Sequence, residues 1–407
     1  MKISTMKSNA QVADIAGVVK PPYQIPTIAE IQKIPFNGFE VVSTFSGAGG
    51  SSLGYRMAGF KILWANEFIP AAQEVYRANF PNTFLDKRDI RIVKPEEILK
   101  TIGMKRGELD LLDGSPPCAS FSTAGNRNRD WGKIKKYSDT KQRTDDLFFE
   151  YVRILDGLQP KVFLAENVSG LVKGVAKGYF LMILAALKGC GYRVKAKLLD
   201  AQWLGVPQKR QRIIFIGVRN DLEIYPQFPK PFPYRYRIKD AIPWAITVRY
   251  GGGFGNELWT SADTLPTDTV GSQPSRGNNI NNNNFKIEVE ADISRFAIGK
   301  EWDNLKPGEK SKKYINLIKP SWEHPCNTIT TPSGLISAAT VVHPTEKRRF
   351  SITELKRICA FPEDFILTGT YAQQWERLGR SVPPLMMRVI ARVIRDKILM
   401  RLKDGTR

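Results

Sequence analysis

Residues Glu40–Gly50, EVVSTFSGAGG, join a short apolar run to a turn that contains three glycines. An amphipathic segment follows the turn, so the stretch predicts a strand, a tight turn and a helix. Glycines at such a turn allow the backbone to bend sharply and to approach a ligand at the amino terminus of the helix. We therefore expect the first strand of an α/β domain here, with a ligand site at its carboxyl end.

Between about residues 40 and 218, short apolar runs alternate with longer amphipathic segments. After EVVSTF, the predicted strands are KILWANEF, LDLLDG, KVFLAEN and RIIFIGV. The predicted helices are PAAQEVYRANF, LFFEYVRILDGL and YFLMILAALKGCG. This alternation predicts a mostly parallel sheet with helices on both faces.

The amino-acid composition of the chain changes after residue 225. The segment begins with PQFPKPFPYRYR and contains three consecutive glycines and the Asn-rich stretch GNNINNNNF, which together indicate a smaller, loop-rich unit of short strands. Helical spacing returns in SITELKRICAF and in the last apolar segment. We predict an extension at 1–38, a first domain at 39–224, a second unit at 225–345 and a final segment at 346–407 that returns to the first domain.

The charge of the chain favours a nucleic-acid partner. Sixty-one Lys and Arg against 40 Asp and Glu leave a net charge of +21, and phosphates are the usual target of such an excess. A merely basic surface is the alternative. The four cysteines lack paired spacing, and the amino terminus lacks the apolar core of a signal peptide. No apolar stretch reaches the roughly 18 residues that a membrane-spanning helix needs. We therefore expect a cytoplasmic, nucleoid-associated protein without a membrane partner. The two histidines leave little material for a metal site.

Two acidic positions suggest which ligand the first turn binds. Glu67 ends the second predicted strand about 20 residues beyond Gly47, where a carboxylate can accept hydrogen bonds from ribose hydroxyls. Asp89 and Ile90 offer an acid and an apolar wall for an adenine ring. The turn lacks the Lys-Ser/Thr ending of a triphosphate site, so an adenosyl cofactor without phosphates fits better. Either carboxylate alone is also compatible with a solvated loop.

The predicted strand LDLLDG ends in a rigid turn that carries a thiol. Cys118 follows two prolines, which stiffen the backbone. Glu166 closes the run KVFLAEN, and Arg210 and Arg212 lead into RIIFIGV, so all four side chains are expected at one edge of the sheet. Taken singly, a lone Cys is usually a small core residue, and a Glu at a strand end is often a cap or an ion pair.

Taken in order, these features resemble the DNA cytosine-5 methyltransferases of bacterial or phage type. The matching motifs are FSGAGG (45–50), NE (66–67), DI (89–90), PPC (116–118), ENV (166–168), QKRQR (208–212), RRFSITELKRICAFPEDF (348–365) and GRSVPP (379–384). The resemblance implies a Rossmann-like methyltransferase sheet that uses S-adenosylmethionine, and it makes the 225–345 unit a target-recognition domain.

The resemblance also implies the chemistry of the site. Cys118 would attack carbon 6 of a cytosine flipped out of duplex DNA, and Glu166 would bind the ring nitrogen and amino group. Arg210 and Arg212 would hold the ring oxygen. The methyl group would then move to carbon 5 and leave S-adenosylhomocysteine, with no metal involved.

The cofactor contacts that carry over from the family are Phe45, Gly47, Ala48, Gly49, Gly50, Glu67, Phe68, Asp89, Ile90, Pro117 and Ser381. The chain departs from the family pattern at Arg380, where an Asn is usual.

The segment Thr123–Arg143 carries seven Lys or Arg and two Asp. In the family the equivalent segment closes over the flipped base, whereas a solvated loop is the alternative. The expected DNA contacts are Gln208, Ser122, Arg127, Lys133, Lys135 and Lys136; Arg235, Arg237 and Arg276 are further candidates in the second unit.

Several other functions remain open at this point. An amino-group methyltransferase would have an aromatic residue where Cys118 stands, and a zinc deaminase would need a second nearby Cys. A DNA-binding regulator without turnover and an RNA cytosine methyltransferase share the expected fold. The favoured interpretation is a monomeric enzyme acting on double-stranded DNA, with a cognate restriction endonuclease as an optional partner.

Overall fold

The structure is a computed structural model of the 407-residue chain. It describes residues 19–117, 144, 146–172, 176–244, 291–331 and 337–403, together with the backbone of residues 135–137 and 140–142. The strands are β1 Glu40–Thr44, β2 Lys61–Asn66, β3 Phe84–Asp86, β4 Leu111–Gly114, β5 Lys135–Tyr137, β6 Thr140–Gln142, β7 Val162–Val168, β8 Tyr192–Asp200, β9 Gln208–Lys209, β10 Gln211–Arg219 and β11 Cys326–Asn327.

The helices begin with α1 Ile28–Gln32, α2 Gly50–Met57, α3 Pro70–Asn79, α4 Pro95–Ile102, α5 Leu147–Leu158 and α6 Ala176–Gly189. They continue with α7 Ile238–Ala241, α8 Ala297–Asp303, α9 Ile352–Ile358, α10 Tyr371–Arg380, α11 Pro384–Ile394 and α12 Met400–Lys403. A π-helical turn, Arg395–Leu399, joins the last two.

A seven-stranded sheet in the order β3-β2-β1-β4-β7-β10-β8 forms the centre of the fold. Strands β3, β2, β1, β4 and β7 run parallel to one another, while β10 is antiparallel to both of its neighbours. This arrangement confirms the predicted α/β class and the mostly parallel sheet. Strand β8 was not among the predicted strands, because its basic residues alternate with apolar ones, as expected of an edge strand with one solvated face.

The antiparallel direction of β10 matters for the site. Arg212 pairs with Val168 and Ile214 pairs with Glu166, so the beginning of β10 lies beside the carboxyl end of β7. Residues from these two strands therefore meet at the edge where β1 and β4 also end. This is the edge at which open α/β sheets bind ligands.

Apolar layers cover both faces of the sheet. One face buries Val42, Leu112 and Phe215 against α5 and α6. The opposite face buries Val41, Leu111 and Ile216 against α2 and the helices α9 to α11. Helix α11 approaches α2 so closely that a Cβ on Gly54 would lie 2.5 Å from the Cβ of Met387, so only glycine fits at that crossing.

Two smaller parts attach to this framework. Residues Ile293, Ile298, Leu305, Leu317 and Val342 form a separate apolar cluster around α8. At the amino-terminal side, the buried Tyr23 donates its hydroxyl to the carbonyl oxygen of Arg357 at 2.7 Å, and Lys20 pairs with Asp240 at 2.6 Å. Residues 19–38 therefore pack onto the fold.

Candidate active site

A cavity of about 440 Å³ opens at the carboxyl edge of the sheet. Its walls come from the turn after β1, the ends of β2, β4 and β7, the start of β10 and the segments near residues 330 and 380. The predicted site residues that line it are Phe45, Gly47, Ala48, Gly50, Glu67, Phe68, Asp89, Ile90, Pro117, Glu166, Arg210, Arg212 and Ser381.

The turn after β1 is held by the carboxylate of Glu67. Oε2 of Glu67 accepts from the backbone N–H of Gly47 at 2.7 Å, and Oε1 accepts from the N–H of Ile69 at 2.7 Å. Burial raises the pKa of this carboxyl, although the two backbone donors act in the opposite direction. Phe45 lies in the left-handed region with φ 52°, a conformation of modest cost for a non-glycine residue that often marks a functional turn.

Two glycines of the turn have different roles. A Cβ on Gly50 would lie 2.3 Å from the carbonyl oxygen of Val382, so this glycine allows the turn to pack against the segment that carries Ser381. Gly49 has φ 90°, and a Cβ there would lie 2.3 Å from the ring of Phe80. Position 49 therefore packs against Phe80, and contact of Gly49 with the cofactor stays a prediction.

Asp89 and Ile90, the residues expected to hold the adenine, both line the cavity. Asp89 caps a short 3-10 turn by accepting from the N–H of Arg91 at 3.0 Å, and the Arg91 guanidinium bonds the other carboxylate oxygen at 2.9 Å. Ile90 is buried at 2% exposure and lines the cavity. The wall thus combines a fixed acid with an apolar surface.

Glu166 and Arg212 form a buried ion pair inside the cavity. Nε of Arg212 lies 2.7 Å from Oε1 of Glu166, with the two side chains 13% and 10% exposed. Burial lowers the pKa of the Arg212 guanidinium, and the neighbouring carboxylate opposes that change. Next to the pair, Nδ2 of Asn167 donates to the carbonyl oxygen of Pro116 at 3.1 Å, which ties the turn after β4 to β7.

Arg210 lines the same cavity but contacts the protein backbone. Its Nη2 donates to the carbonyl oxygen of Ser381 at 2.9 Å and its Nη1 to that of Ile329 at 3.4 Å. Burial, with a smaller effect from Arg212, lowers the pKa of Arg210 to about 9. This side chain therefore joins three walls of the cavity.

The residues expected to contact DNA lie in different surroundings. Gln208 is fully buried, donates to Sγ of Cys359 at 3.3 Å and accepts from the N–H of Ile329 at 3.4 Å. Its amide therefore makes contacts within the protein in this structure, and its contact with DNA stays a prediction. Lys135 and Lys136 lie in β5, which pairs with β6 in an antiparallel hairpin. Cys118, Ser122, Arg127, Lys133 and Arg276 lie outside the described residues.

The two arginines proposed for the second unit are engaged within the protein. Arg237 pairs with Asp240 at 3.2 Å and with Glu323 at 3.3 Å. The Arg235 guanidinium stacks 4.6 Å from the ring centroid of Trp203. Arg237 thus joins α7 to the segment at Glu323, and Arg235 packs its own segment against Trp203, which follows β8.

One wall of the cavity was not expected from the sequence. Residues 328–331 line it because β11 pairs in parallel with β9, which brings a segment distant in sequence to the start of β10. Arg377 and Arg380 also line it, and Nε of Arg380 donates to Glu376 at 2.6 Å. The motif GRSVPP pointed to the part of the wall near residue 380, whereas no motif pointed to residues 328–331.

Two kinds of feature are absent from the described residues. No group of three or more His, Cys, Asp or Glu side chains there has the proximity needed to hold a metal ion. In the same part of the chain, every helix is too short or too polar to traverse a bilayer.

The chain is similar to known proteins over most of its length. The family model of C-5 cytosine-specific DNA methylases matches residues 39–396. A Neisseria gonorrhoeae Type II methyltransferase, M.NgoPII, is 32% identical over 89% of this chain and 97% of its own length. The Type II methyltransferase M.FnuDI of Fusobacterium nucleatum is 38% identical over 88% of this chain and 95% of its own length.

A solved structure supports the same fold. A Spodoptera frugiperda DNMT2 variant superposes with a TM-score of 0.56 at 19% identity and covers 86% of this chain and 98% of its own. The family model covers residues 39–396, and the curated relatives match most of the chain as well. The chain belongs to the C-5 cytosine-specific DNA methylase family and is a DNA cytosine methyltransferase.

Proposed function

We propose that the protein methylates carbon 5 of a cytosine that is flipped out of a specific duplex sequence, through a covalent bond between Cys118 and carbon 6. The observation that carries the proposal is the buried Glu166–Arg212 pair, which lies in the cavity beside the turn that leads to Cys118. A carboxyl and a guanidinium at that position match the ring nitrogen, amino group and ring oxygen of cytosine.

The residues that would hold the cofactor fit an adenosyl group without phosphates. Glu67 offers a buried carboxylate to ribose hydroxyls, while Phe68 and Ile90 give apolar surface for the adenine. Pro117 and Ser381 line the side toward the reaction. S-Adenosylmethionine, the donor implied by the family, supplies an electrophilic methyl group when bound.

The proton and electron changes in the base follow from these positions. The Cys118 thiolate forms a bond to carbon 6, and the ring electrons move to carbon 5 while the ring nitrogen takes a proton that Glu166 has first accepted from solvent. Arg212 keeps the Glu166 carboxyl oriented and donates toward the ring oxygen. Carbon 5 then takes the methyl group, and the methyl–sulfur bond of the donor breaks to leave a neutral thioether. Loss of the carbon-5 proton to a base expels the thiolate from carbon 6, and the ring nitrogen returns its proton through Glu166.

Contact with DNA would involve the basic segment and the second unit. Opening the base stack costs a few kcal/mol, and phosphate contacts from Arg127, Lys133, Lys135 and Lys136 would offset part of that cost. Ser122 lies between this segment and the thiol. Residues 225–345 would read the target sequence, and we expect one protomer to act on double-stranded DNA, with or without a restriction endonuclease partner.

Analysis of the reaction product tests this proposal. The enzyme is incubated with S-adenosylmethionine carrying a labelled methyl group and either mixed duplex DNA or RNA, and the nucleosides are separated by mass spectrometry. We expect 5-methylcytosine in DNA alone and in one sequence context. Label on the amino nitrogen of cytosine would refute the ring mechanism, and label found mainly in RNA would refute the substrate.

A further inference from the structure

One buried carboxyl group has no role in the mechanism above. Asp113 in β4 is 1% exposed. The other buried carboxylates among the described residues accept from a cation or from backbone N–H groups, such as Asp110 from Lys161 and Glu354 from Arg348. Within the same part of the chain, the side chain of Asp113 accepts only from two hydroxyl groups.

The two hydroxyl donors belong to different parts of the cofactor wall. The Ser43 hydroxyl donates to Oδ2 of Asp113 at 2.9 Å, and the Tyr55 hydroxyl donates to Oδ1 at 3.1 Å. Ser43 lies in β1, and Tyr55 lies in α2, which begins directly after the glycine turn. Asp113 therefore links the strand before the turn to the helix after it.

Ser43 passes this contact on to the cavity. The hydroxyl of Ser46 donates to the carbonyl oxygen of Ser43 at 2.9 Å and lies 3.2 Å from its hydroxyl oxygen. Ser46 itself lines the cavity. A chain of hydrogen bonds thus runs from the Asp113 carboxyl to the surface of the cavity that would hold the cofactor.

Asp113 also lies on the chain that leads to the thiol. Gly114 and Ser115 follow it directly, and the N–H of Ser115 donates to the carbonyl oxygen of Thr44 at 3.4 Å. The turn at Pro116–Pro117 then leads into Cys118. The side chain of Asp113 consequently fixes β1 and α2 relative to the backbone that carries the nucleophile.

We propose that Asp113 is a positioning residue for methyl transfer, which sets the glycine turn that holds the cofactor against the turn that carries Cys118. A buried acid without a cation is costly to keep, so a role in positioning gives a reason for its presence. The inference rests on the proposed function only where it takes Cys118 as the nucleophile.

The surroundings of Asp113 make its charge state sensitive to pH near neutrality. Burial raises the pKa of Asp113 to about 7, the hydroxyls of Ser43 and Tyr55 act against this change, and the charge of Glu166 adds to it. The ionisable groups that face it from the surrounding elements are Tyr55, Tyr76, Tyr151 and Glu166. Burial raises the pKa of all three tyrosines, so they remain neutral in this range.

The test compares Asp113→Asn with Ser43→Ala, the double variant and a control. Ser52→Ala is the matched control, because it removes a buried hydroxyl contact of the same helix, 3.0 Å from the hydroxyl of Tyr76, that does not touch Asp113. For each protein we would measure cofactor affinity without DNA by calorimetry, the single-turnover rate of methyl transfer between pH 6 and 8, and the thermal midpoint.

We expect Asp113→Asn to weaken cofactor binding and slow methyl transfer by about tenfold to a hundredfold, as small displacements of reacting groups do. Its thermal midpoint should equal or exceed that of the wild type. The ionised carboxyl accepts from both hydroxyls, so we expect the wild-type rate to rise as the pH passes about 7 and this rise to be absent in the variant. The double variant should lose no more than Asp113→Asn alone, because both remove one chain of contacts.

Two results would overturn the inference. One is an Asp113→Asn protein with cofactor affinity and rate within about twofold of the wild type, a difference too small for a positioning group. The other is an equal kinetic loss in Ser52→Ala, which would indicate a general effect of packing. Cofactor affinity is measured without DNA, so a wrong assignment of Cys118 would leave that part of the result unchanged.

Discussion

Arg212 donates from Nε to Oε1 of Glu166 at 2.7 Å, across the antiparallel pairing of β10 with β7. The pairing places Ile214 opposite Glu166 and Val168 opposite Arg212, so the two charged residues are diagonal neighbours on the ladder. Both side chains are largely buried, and removal of one partner from such a pair leaves an uncompensated charge. The pair therefore combines a structural requirement with the chemistry expected of the site.

The first prediction concerns the shape of the Arg212 side chain. In Arg212→Lys the positive charge remains, but a single ammonium cannot donate from a planar fork to both Glu166 and the base. We expect the turnover number to fall by at least about tenfold, with a smaller change in the KM for DNA. Steady-state kinetics with a labelled methyl donor measures both.

Arg219→Lys is the matched control for that experiment. Arg219 lies at the other end of β10, where it pairs with Asp221 at 2.8 Å and contacts the carbonyl oxygen of Gly107. Its replacement should leave turnover nearly unchanged. Equal losses of turnover in the two variants would show that β10 requires its arginines for folding in general. Arg212 would then have no special role in the reaction.

The second prediction concerns Glu67. In Glu67→Gln the side-chain amide can accept from only one of the two backbone N–H groups, those of Gly47 and Ile69, that the carboxylate now binds. We expect affinity for S-adenosylhomocysteine, measured by calorimetry, to fall by about tenfold or more. Because burial raises the pKa of Glu67, wild-type affinity should begin to fall at a higher pH than an ordinary glutamate would give.

An exposed glutamate provides the comparison. Glu97 pairs with Arg88 at 2.8 Å, and its side chain is 45% exposed. Glu97→Gln should bind the cofactor product as well as the wild type does. If Glu67→Gln also kept full affinity, the ribose contact would have to be assigned to another group.

The third prediction uses the pH dependence of stability. Since burial raises the pKa of Asp113 to about 7, and an unfolded Asp titrates near 4, the folded protein binds more protons between these values. Stability contributed by this group is therefore fully present below about pH 4 and is lost as pH rises toward 7. Denaturant unfolding measures this effect. The free energy of unfolding of Asp113→Asn, relative to that of the wild type, should rise between pH 5 and 8 by on the order of a few kcal/mol.

A constant difference between the two proteins over that range would contradict the burial of an ionising carboxyl at this position. Asp86→Asn is a suitable control, because Asp86 is also buried but pairs with Arg88 at 2.7 Å. Its loss removes an ion-pair acceptor, so it should destabilise the protein at every pH in this range.

The fourth prediction concerns the basic segment after the thiol. Replacement of Lys133, Lys135 and Lys136 by Gln should make DNA binding less dependent on salt. The slope of log K against log salt concentration should become shallower by about 0.9 for each phosphate that the lysines no longer neutralise. Replacement of Lys100, Lys105 and Lys188, which are exposed near the opposite edge of the sheet, keeps the change in net charge the same. If the two triple variants had equal slopes, the segment would be an ordinary solvated loop.

Much of the fold could be predicted because local pattern and tertiary structure agree there. Helix α5 has the predicted bounds, and the runs EVVSTF and RIIFIGV are strands in the centre of the sheet. Strand β8 was missed because an edge strand with alternating lysines lacks an apolar run. The reversed direction of β10 has no local signal, since strand direction depends on how distant segments pair.

The site was predictable only to the extent that its residues fall in ordered motifs. Glu166, Arg212 and Glu67 each end or begin an apolar run, and the structure brings them to one cavity. Residues 328–331 have no such mark and reach the cavity through the pairing of β11 with β9. Gly49 and Gln208 lie in the motifs and make packing contacts, which sequence spacing alone does not predict.

The assignment of Cys118 as nucleophile is the central claim, and a trapping experiment tests it most directly. The enzyme is incubated with S-adenosylmethionine and target duplex DNA in which 5-fluorocytosine replaces the reactive cytosine, because fluorine cannot leave carbon 5 as a proton does. We predict a covalent protein–DNA complex that survives denaturation, maps to Cys118 by mass spectrometry and is absent with Cys118→Ser. Trapping by Cys118→Ser, or an adduct at any other residue, would contradict the account.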